Sequence, residues 1–201
     1  MKFMRFFLYI AVGLFFLGCT TLKPTVAEYR MAVQEDVAKS NAQGCRAKSL
    51  KVAQAFSAAP LLSLQMEYTE AEGKVFAYSQ SQWQESPNSF ITSELFSSIR
   101  DFELFGSVHS FGSRVKTDLV LETNVEEFTQ FYTPDMSASY VNVLISLTLI
   151  DTKTSTAIAT KTFRSKVKTK TVDAAGGVEA YRAALGEIVA NKRAWLEERC
   201  R

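Results

Sequence analysis

The sequence predicts an α+β fold, with two helices packed on one face of a mostly antiparallel sheet in the order β-ββ-α-β-βββ-α. Along Tyr140–Ile150 apolar residues recur at every second position, as on the buried face of a strand: Val141, Val143, Ile145, Leu147 and Leu149. Apolar residues recur at helical spacing after Ser86 and again over Ala174–Glu198. The 201 residues, 47% of them hydrophobic, suffice for one domain with its own core.

The first predicted elements are a strand and a hairpin. Ser49–Ala55 predicts the opening strand. Gln65–Tyr68 and Lys74–Gln82 predict the two arms of a hairpin, with its turn at Glu72-Gly73.

The first helix has the clearest start signal. Ser86 is a favourable N-cap residue, and Pro87 stands in the first turn, where proline is tolerated. Gly106 ends the unit, and a short strand is expected within Phe105–Gly112. The buried stripe of this helix is predicted to comprise Ile91, Leu95, Ile99 and Phe102.

A three-stranded meander and a final helix complete the domain. The strands are predicted over Asp118–Phe131, Tyr140–Ile150 and Ala157–Thr171, and the helix over Ala174–Glu198. The helix presents one stripe that is apolar apart from a lysine: Val178, Tyr181, Leu185, Ile188, Lys192 and Trp195.

Residues 1–18 have the form of a secretory signal peptide. A basic start, "MKFMR", precedes the apolar run Phe6–Leu17. As a helix this run spans only about 18 Å, well short of a hydrocarbon core of roughly 30 Å. The ordinary cleavage pattern of small residues is absent from Phe16-Leu17-Gly18.

Gly18 directly before Cys19 resembles the lipobox of bacterial lipoproteins. The resemblance implies cleavage between Gly18 and Cys19, diacylglycerol on the Cys19 sulfur and an N-acyl chain. Phe16 and Leu17 depart from the usual pattern, and the alternative is an uncleaved N-terminal anchor with an unmodified cysteine. Several acyl chains on one residue give stable anchoring. Thr20 after the cysteine favours the outer membrane by the sorting pattern of such lipoproteins.

The remaining two cysteines are Cys45 and Cys200. In an exported chain an even pair suggests a disulfide, which would close a loop containing most of the domain. Two free thiols, or contacts between subunits, are the alternatives. The resulting organisation is a signal peptide over 1–18, a lipid anchor and periplasmic tether over 19–45, and the α+β domain over 46–201.

Charge and histidine content exclude two classes of function. Beyond Lys2 and Arg5 the chain is formally neutral, which argues against nucleic-acid binding. The single histidine, His109, makes a His-based metal site unexpected, and no other metal site is predicted. No G-x-S-x-G motif accompanies His109 and its neighbouring serines, so catalysis is not expected.

Four basic residues alternate in "FRSKVKTKT" and therefore share one strand face: Arg164, Lys166, Lys168 and Lys170. They suit lipid phosphates or an acidic partner, but a solvated face, or lysines protecting a sheet edge, is the favoured interpretation. Partial balance of these charges is expected if three acidic residues lie on the same side of the sheet: Asp118, Glu122 and Glu126.

Two aromatic residues are weaker candidates for an interface. Tyr29, with Met31, suits either a small strand or docking segment beside the sheet, or an unattached linker. Trp83 suits an interface, although packing at the junction of hairpin and helix is favoured.

The order of these features resembles the ABC-type transport auxiliary lipoprotein family, the paraquat-inducible protein C-like lipoproteins that accompany MCE transport systems. The lipobox cysteine is followed by "EYRM" (Glu28–Met31) and by "WQESP" (Trp83–Pro87), which leads into "SELFSSI". The meander "VLETNVEEF" to "VLISLTLID" and an amphipathic helix come last. The resemblance covers roughly Tyr29–Leu196.

The resemblance implies a non-enzymatic component of a lipid-trafficking system. An ATPase and a permease sit in the inner membrane, and an MCE-domain protein bridges the periplasm. The lipoprotein would dock that bridge at the outer membrane, carrying no cofactor beyond the lipid on Cys19, and a ring-like partner would suit a homo-oligomer. The rival interpretations are a structural lipoprotein that braces a barrel protein during outer-membrane assembly and, less favoured, an exported enzyme.

Overall fold

The computed structural model describes residues 25–33 and 39–201. The predicted signal peptide, the lipobox and Cys19 lie outside the described residues, so their assignment stays a prediction.

Within the described ranges, nine strands form one sheet and two α-helices accompany it. Helix α1 spans Pro87–Asp101 and α2 spans Ala174–Arg199. The strands are β1 Ala27–Tyr29, β2 Ser49–Val52, β3 Phe56–Ser57, β4 Gln65–Thr69, β5 Val75–Trp83, β6 Ser107–His109, β7 Leu119–Tyr132, β8 Ser139–Asp151 and β9 Thr156–Lys168.

The meander of β7, β8 and β9 is antiparallel throughout and matches the predicted strands closely. Alternate residues of β8, from Val141 to Leu149, are buried on one face. This pattern is the one that the alternation of apolar and polar residues predicted. A bulge between Val125 and Glu127 interrupts the register of β7.

The remainder of the sheet is more parallel than expected. Strands β2, β3 and β4 each run parallel to β7, at Leu119–Leu121, Asn124–Val125 and Gln130–Phe131 respectively. β1 also pairs parallel with β5, and β6 with β2. The α+β class with two helices is confirmed. The predicted hairpin β4–β5 is antiparallel, and most paired residues are antiparallel, but the short pairings are parallel and the exact strand order differs. Periodicity locates a strand without reporting its direction, and the crossover through α1 brings the earlier strands parallel to β7.

The tether assigned to residues 19–45 needs correction, because part of that segment belongs to the sheet. Ala27–Tyr29 pairs with Ser81–Trp83 of β5. Farther along, the Ser40 amide donates to the Phe102 carbonyl at 2.8 Å, where α1 ends. Only three residues form β1, too few to give a periodic signal.

Both helices cover the same face of the sheet and share one core with it. The predicted α1 stripe is buried, and so is the α2 stripe, including its lysine. Lys192 is 2% exposed, and its Nζ donates to Ser98 Oγ of α1 at 2.6 Å. Burial of each large apolar side chain contributes about 1.5–3 kcal/mol to stability.

The two helix starts differ in their capping. At α2, Asp173 Oδ1 accepts from the Gly176 amide at 2.7 Å and caps the helix. At α1, Ser86 occupies the N-cap position, but its hydroxyl donates to Asn88 Oδ1 at 2.9 Å rather than capping the backbone. The predicted N-cap position is therefore correct, while the expected side-chain cap is not formed.

Cys45 and Cys200 are joined by a disulfide across a sequence separation of 155 residues. Beside it, the Gly44 amide donates to the Cys200 carbonyl at 2.9 Å. A Cβ at Gly44 would overlap that carbonyl, so the close approach requires glycine. The covalent link ties the segment before β2 to the C-terminal end of α2.

Removing the disulfide should destabilise the domain. We expect Cys45→Ser/Cys200→Ser to lower the free energy of unfolding by about 2–5 kcal/mol, because the unfolded chain loses a long cross-linked loop. Denaturant unfolding followed by circular dichroism measures this. Wild-type protein unfolded with reductant is the control and should match the variant. Equal midpoints for oxidised wild type and variant would show that the link contributes nothing.

Candidate docking surfaces

The segment around Tyr29 is an added strand at the edge of β5. The Gln84 amide donates to the Tyr29 carbonyl at 2.9 Å, and Gln82 Nε2 donates to Glu28 Oε1 at 2.9 Å. Met31 is buried against the core. The sequence left open a small strand beside the sheet or an unattached linker, and the structure shows the small strand.

Trp83 belongs to the core and is only 4% exposed. Its ring lies edge-on to Phe128 at 6.1 Å and to Tyr181 at 5.6 Å between centroids. Phe128 and Tyr181 stack on each other at 4.1 Å. This aromatic trio links β5, β7 and α2, so Trp83 packs in the core, as the favoured interpretation predicted.

A tyrosine network, which the sequence did not indicate, lies where β4, β5 and β7 meet. The hydroxyls of Tyr78 and Tyr132 are 2.6 Å apart, and Tyr78 donates to Gln130 Oε1 at 3.1 Å. Gln130 Nε2 in turn donates to Ser139 Oγ at 3.0 Å. Tyr68 packs on both tyrosine rings, with centroids 4.7 and 5.0 Å away.

Burial raises the pKa of both network phenols, and for Tyr78 the hydrogen bond with Tyr132 adds to the increase. Burial also raises the pKa of the Tyr181 phenol. Gly177 at the start of α2 completes the setting, because a Cβ there would overlap Gln130 Oε1. The network thus fixes the start of α2 against the sheet.

The predicted basic row lies on an edge strand. Arg164, Lys166 and Lys168 are exposed on β9, which in the described residues pairs only with β8. Lys166 Nζ lies 3.8 Å from the centre of the Tyr140 ring, a cation–π distance. Lys170 follows the strand and forms an ion pair with Glu179 at 3.1 Å. The row fits the favoured interpretation, since charged side chains protect a strand edge from unwanted pairing.

Of the acidic residues expected to balance this row, Glu126 lies near Arg164, because it accepts from Ser146 of β8 and Arg164 is opposite Leu144, two residues along that strand. The other two are displaced along the sheet. Glu122 is opposite Thr148 of β8, whereas Lys168 is opposite Tyr140. That separation is about 27 Å along the strand. The third acidic residue, Asp118, accepts from the Ser49 amide at 2.9 Å and from its hydroxyl at 2.7 Å. These hydrogen bonds lower the pKa of Asp118 and join β7 to β2.

A gap in the strand pairing opens a cavity of about 240 Å³. β3 pairs with β7 up to Val125, and β4 resumes at Gln130, so residues 126–129 are unpaired on that side. Its floor is the aromatic trio of Trp83, Phe128 and Tyr181. Glu67, Glu126 and Glu127 carry the acidic charge of the lining, and the rest comprises Ala58, Pro60, Leu61, Gln65, Thr69, Val75 and Thr129.

The acidic lining is held in place by hydrogen bonds rather than by cations. Ser146 donates to Glu126, and Asn142 donates to Glu127, both from β8. No ion pair involves Glu67, Glu126 or Glu127 among the residues the structure describes. The opening therefore joins an apolar floor to negative charge, which suits a basic side chain with an apolar stem. The sequence offered no signal for it, because three separate connections create the gap.

His109 takes part in one contact that the sequence did not suggest. Its Nε2 lies 3.1 Å from Ser107 Oγ, since residues two apart on a strand share a face. In the described parts of the chain, no group of three or more histidine, cysteine, aspartate or glutamate residues is placed to hold a metal. None of the described helices has the length and apolar character needed to cross a membrane.

Solved structures with this fold have low sequence identity to the chain. Protein XCC0632 from Xanthomonas campestris, described as DUF330, matches with a TM-score of 0.75 at 18% identity, over 85% of this chain and 94% of its own. The crystal structure of an uncharacterized protein matches with a TM-score of 0.65 at 13% identity, over 86% and 99%. At such identities the likeness shows the fold alone. No family model matches the sequence, and no curated protein does.

The tyrosine network predicts an alkaline limit of stability. Unfolded tyrosine ionises near its usual pKa of about 10, while the folded phenols of Tyr78 and Tyr132 keep their protons above it. The unfolded state then binds fewer protons, so the free energy of unfolding should fall as the pH rises through about 10. Denaturant unfolding between pH 8 and 11 measures the slope.

Substitution identifies the groups responsible for that slope. Tyr78→Phe/Tyr132→Phe should reduce the alkaline loss of stability, and Tyr29→Phe, outside the network, is the matched control. An unchanged slope in the double variant would contradict this assignment.

Proposed function

We propose that this protein is a lipid-anchored, non-catalytic periplasmic component of an MCE-type ABC transport system, which moves lipid between the inner and outer membranes. It docks the MCE-domain partner from the periplasmic face of the outer membrane. The lipid on Cys19 holds it there, and no other cofactor takes part. The lipobox resemblance and the order of motifs support this proposal, and the fold shared with XCC0632 is compatible with it.

The observation that carries a docking role is the gap between β3 and β4. It combines an aromatic floor with three carboxylates that have no ion-pair partner among the described residues. Such an opening receives a lysine or arginine of a partner, whose stem contacts the floor while its charge meets the carboxylates.

Anchoring is tested by intact mass and fractionation of the wild-type protein and Cys19→Ser. The wild type should carry the mass of its acyl chains and remain with membranes. The variant should lose that mass and become either a released form or an uncleaved precursor. An identical mature mass for both proteins would refute lipidation.

Docking is tested by copurification from detergent-solubilised membranes. An MCE-domain protein should be recovered with the wild type. Repeated recovery of an outer-membrane barrel without an MCE-domain protein would instead favour the role of structural brace in outer-membrane assembly.

Charge substitution then locates the docking surface. Glu67→Gln/Glu126→Gln should weaken recovery of the MCE-domain protein by about tenfold, since truncating charged interface contacts commonly costs that much. Glu103→Gln/Glu198→Gln removes two exposed carboxylates elsewhere and is the matched control. Equal losses in both double variants would place docking outside the cavity.

A further inference from the structure

Three connections come together at one end of the sheet. β4 is parallel to β7, and its last residue, Thr69, lies opposite Phe131 near the end of β7. At the same end, β8 begins and β9 finishes, with Tyr140 opposite Lys168. We name this the anchor end, formed by the connections 70–74, 133–138 and 169–173 with the strand residues next to them.

The chain before β1 is directed toward the anchor end. β1 runs parallel to β5, with Ala27 opposite Ser81, and β5 starts at Val75 at the anchor end. Moving backward from Ala27 therefore leads along β5 toward Val75. Arg182 Nη2 fixes the other end of this segment, since it donates to the Arg30 carbonyl at 2.6 Å.

The reach of the chain limits how far a lipid on Cys19 can lie from the anchor end. Eight residue steps separate Cys19 from Ala27, and such a chain spans at most about 28 Å. From Ser81 back to Val75 the strand covers about 20 Å. Cys19 can thus extend only about 8 Å beyond the sheet along this direction. A membrane that receives the Cys19 lipid therefore lies within about 28 Å of Ala27.

The anchor end exposes apolar side chains on three separate connections. Val75 and Phe76 are 59% and 42% exposed at the start of β5, and Met136 and Val172 are each 41% exposed. Phe76 also stacks on Tyr68 of the tyrosine network, with centroids 5.7 Å apart. Aromatic and apolar side chains of this kind are favoured where a protein meets the headgroup layer of a membrane.

The charges at this end complement phosphate groups on the β9 side. In the described residues Lys166 and Lys168 have no acidic partner, and both point away from the helices. The acidic residues nearby are partly engaged: Glu72 pairs with Lys74, and Asp135 accepts from Ser137 at 2.7 Å. Glu70, Asp135 and Asp173 form no ion pair among the described residues and remain as opposing charges.

We propose that the anchor end is a membrane-contact surface that rests on the phospholipid headgroup layer, with Phe76 and Val172 among its apolar contacts and Lys166 and Lys168 facing the phosphates. This inference rests on the lipid anchor of the proposed function. It goes further in fixing which end of the domain meets the membrane. The acidic cavity shares Thr69 and Val75 with this end, and its carboxylates Glu126 and Glu127 lie farther along β7.

Quenching by brominated phospholipids tests the orientation in the full-length, lipidated protein reconstituted into phosphatidylethanolamine–phosphatidylglycerol vesicles. Phe76→Trp and Val172→Trp place reporters on separate connections of the anchor end. Phe111→Trp is the matched control, because Phe111 is exposed and follows β6, which aligns through β2 with the start of β7. The signal of the native residues Trp83 and Trp195 is subtracted with the wild type.

Bromolipid should quench Phe76→Trp and Val172→Trp at least about twice as strongly as Phe111→Trp, since only the first two contact the headgroup layer. Equal or stronger quenching of Phe111→Trp would overturn the proposal. Intact mass of the same samples separates the two levels of the account. If the protein is acylated and shows the reversed quenching pattern, the lipid anchor is supported and the proposed orientation is wrong. If the protein is not acylated, both the anchor and the orientation are contradicted.

The lysines are tested by varying the phosphatidylglycerol content. Quenching of Phe76→Trp should rise with this anionic lipid, and Lys166→Gln/Lys168→Gln should abolish the rise. Lys153→Gln/Lys161→Gln removes the same charge outside the anchor end, from the turn before β9 and from the middle of β9, and should preserve the rise. If the two double variants behave identically, the lysine contact is overturned.

Discussion

The shared use of β7 is the constraint on which the rest of the structure depends. On one side its whole length pairs with β8, and on the other it receives β2, β3 and β4 in succession. Every pairing must suit the same bulged strand, so the bulge after Val125 and the gap before Gln130 are coupled. The cavity, the tyrosine network and the aromatic trio all lie along β7. An alteration of its register would move all three together, because a shift by one residue reverses each side chain's face.

The sequence was sufficient for the parts of the fold that repeat. The long strands β7, β8 and β9 and both helices follow from periodicity, because each buries one face over many residues. Short strands such as β1 and β3 give no such signal, since only a neighbouring strand makes them extended and paired. The parallel pairings to β7 were missed for the same reason: they depend on the path of the chain through α1, not on local composition.

The candidate site likewise combines features that follow from local sequence patterns with features that depend on the path of the chain. The basic row was predictable from alternation, and its place on an edge strand agrees with the favoured interpretation. Trp83 was correctly favoured as a core residue, whereas the acidic cavity above it could not be predicted, because its lining comes from distant segments. The charges along the sheet were expected to balance in part, and Glu126 does lie near Arg164, whereas Glu122 and Lys168 lie far apart. The basic row reaches the anchor end through Lys166 and Lys168, and the carboxylates Glu126 and Glu127 of the cavity lie farther along β7.

The central claim is that a lipid-anchored domain sits directly on its membrane and docks a partner through the gap beside β7. A cryo-electron microscopy structure of the lipidated protein bound to its MCE-domain partner in a lipid nanodisc tests it most directly. The account predicts that the connections 70–74, 133–138 and 169–173 touch the lipid and that a basic side chain of the partner enters the cavity. A domain held clear of the bilayer, or a partner seated elsewhere with the cavity open to solvent, would contradict it.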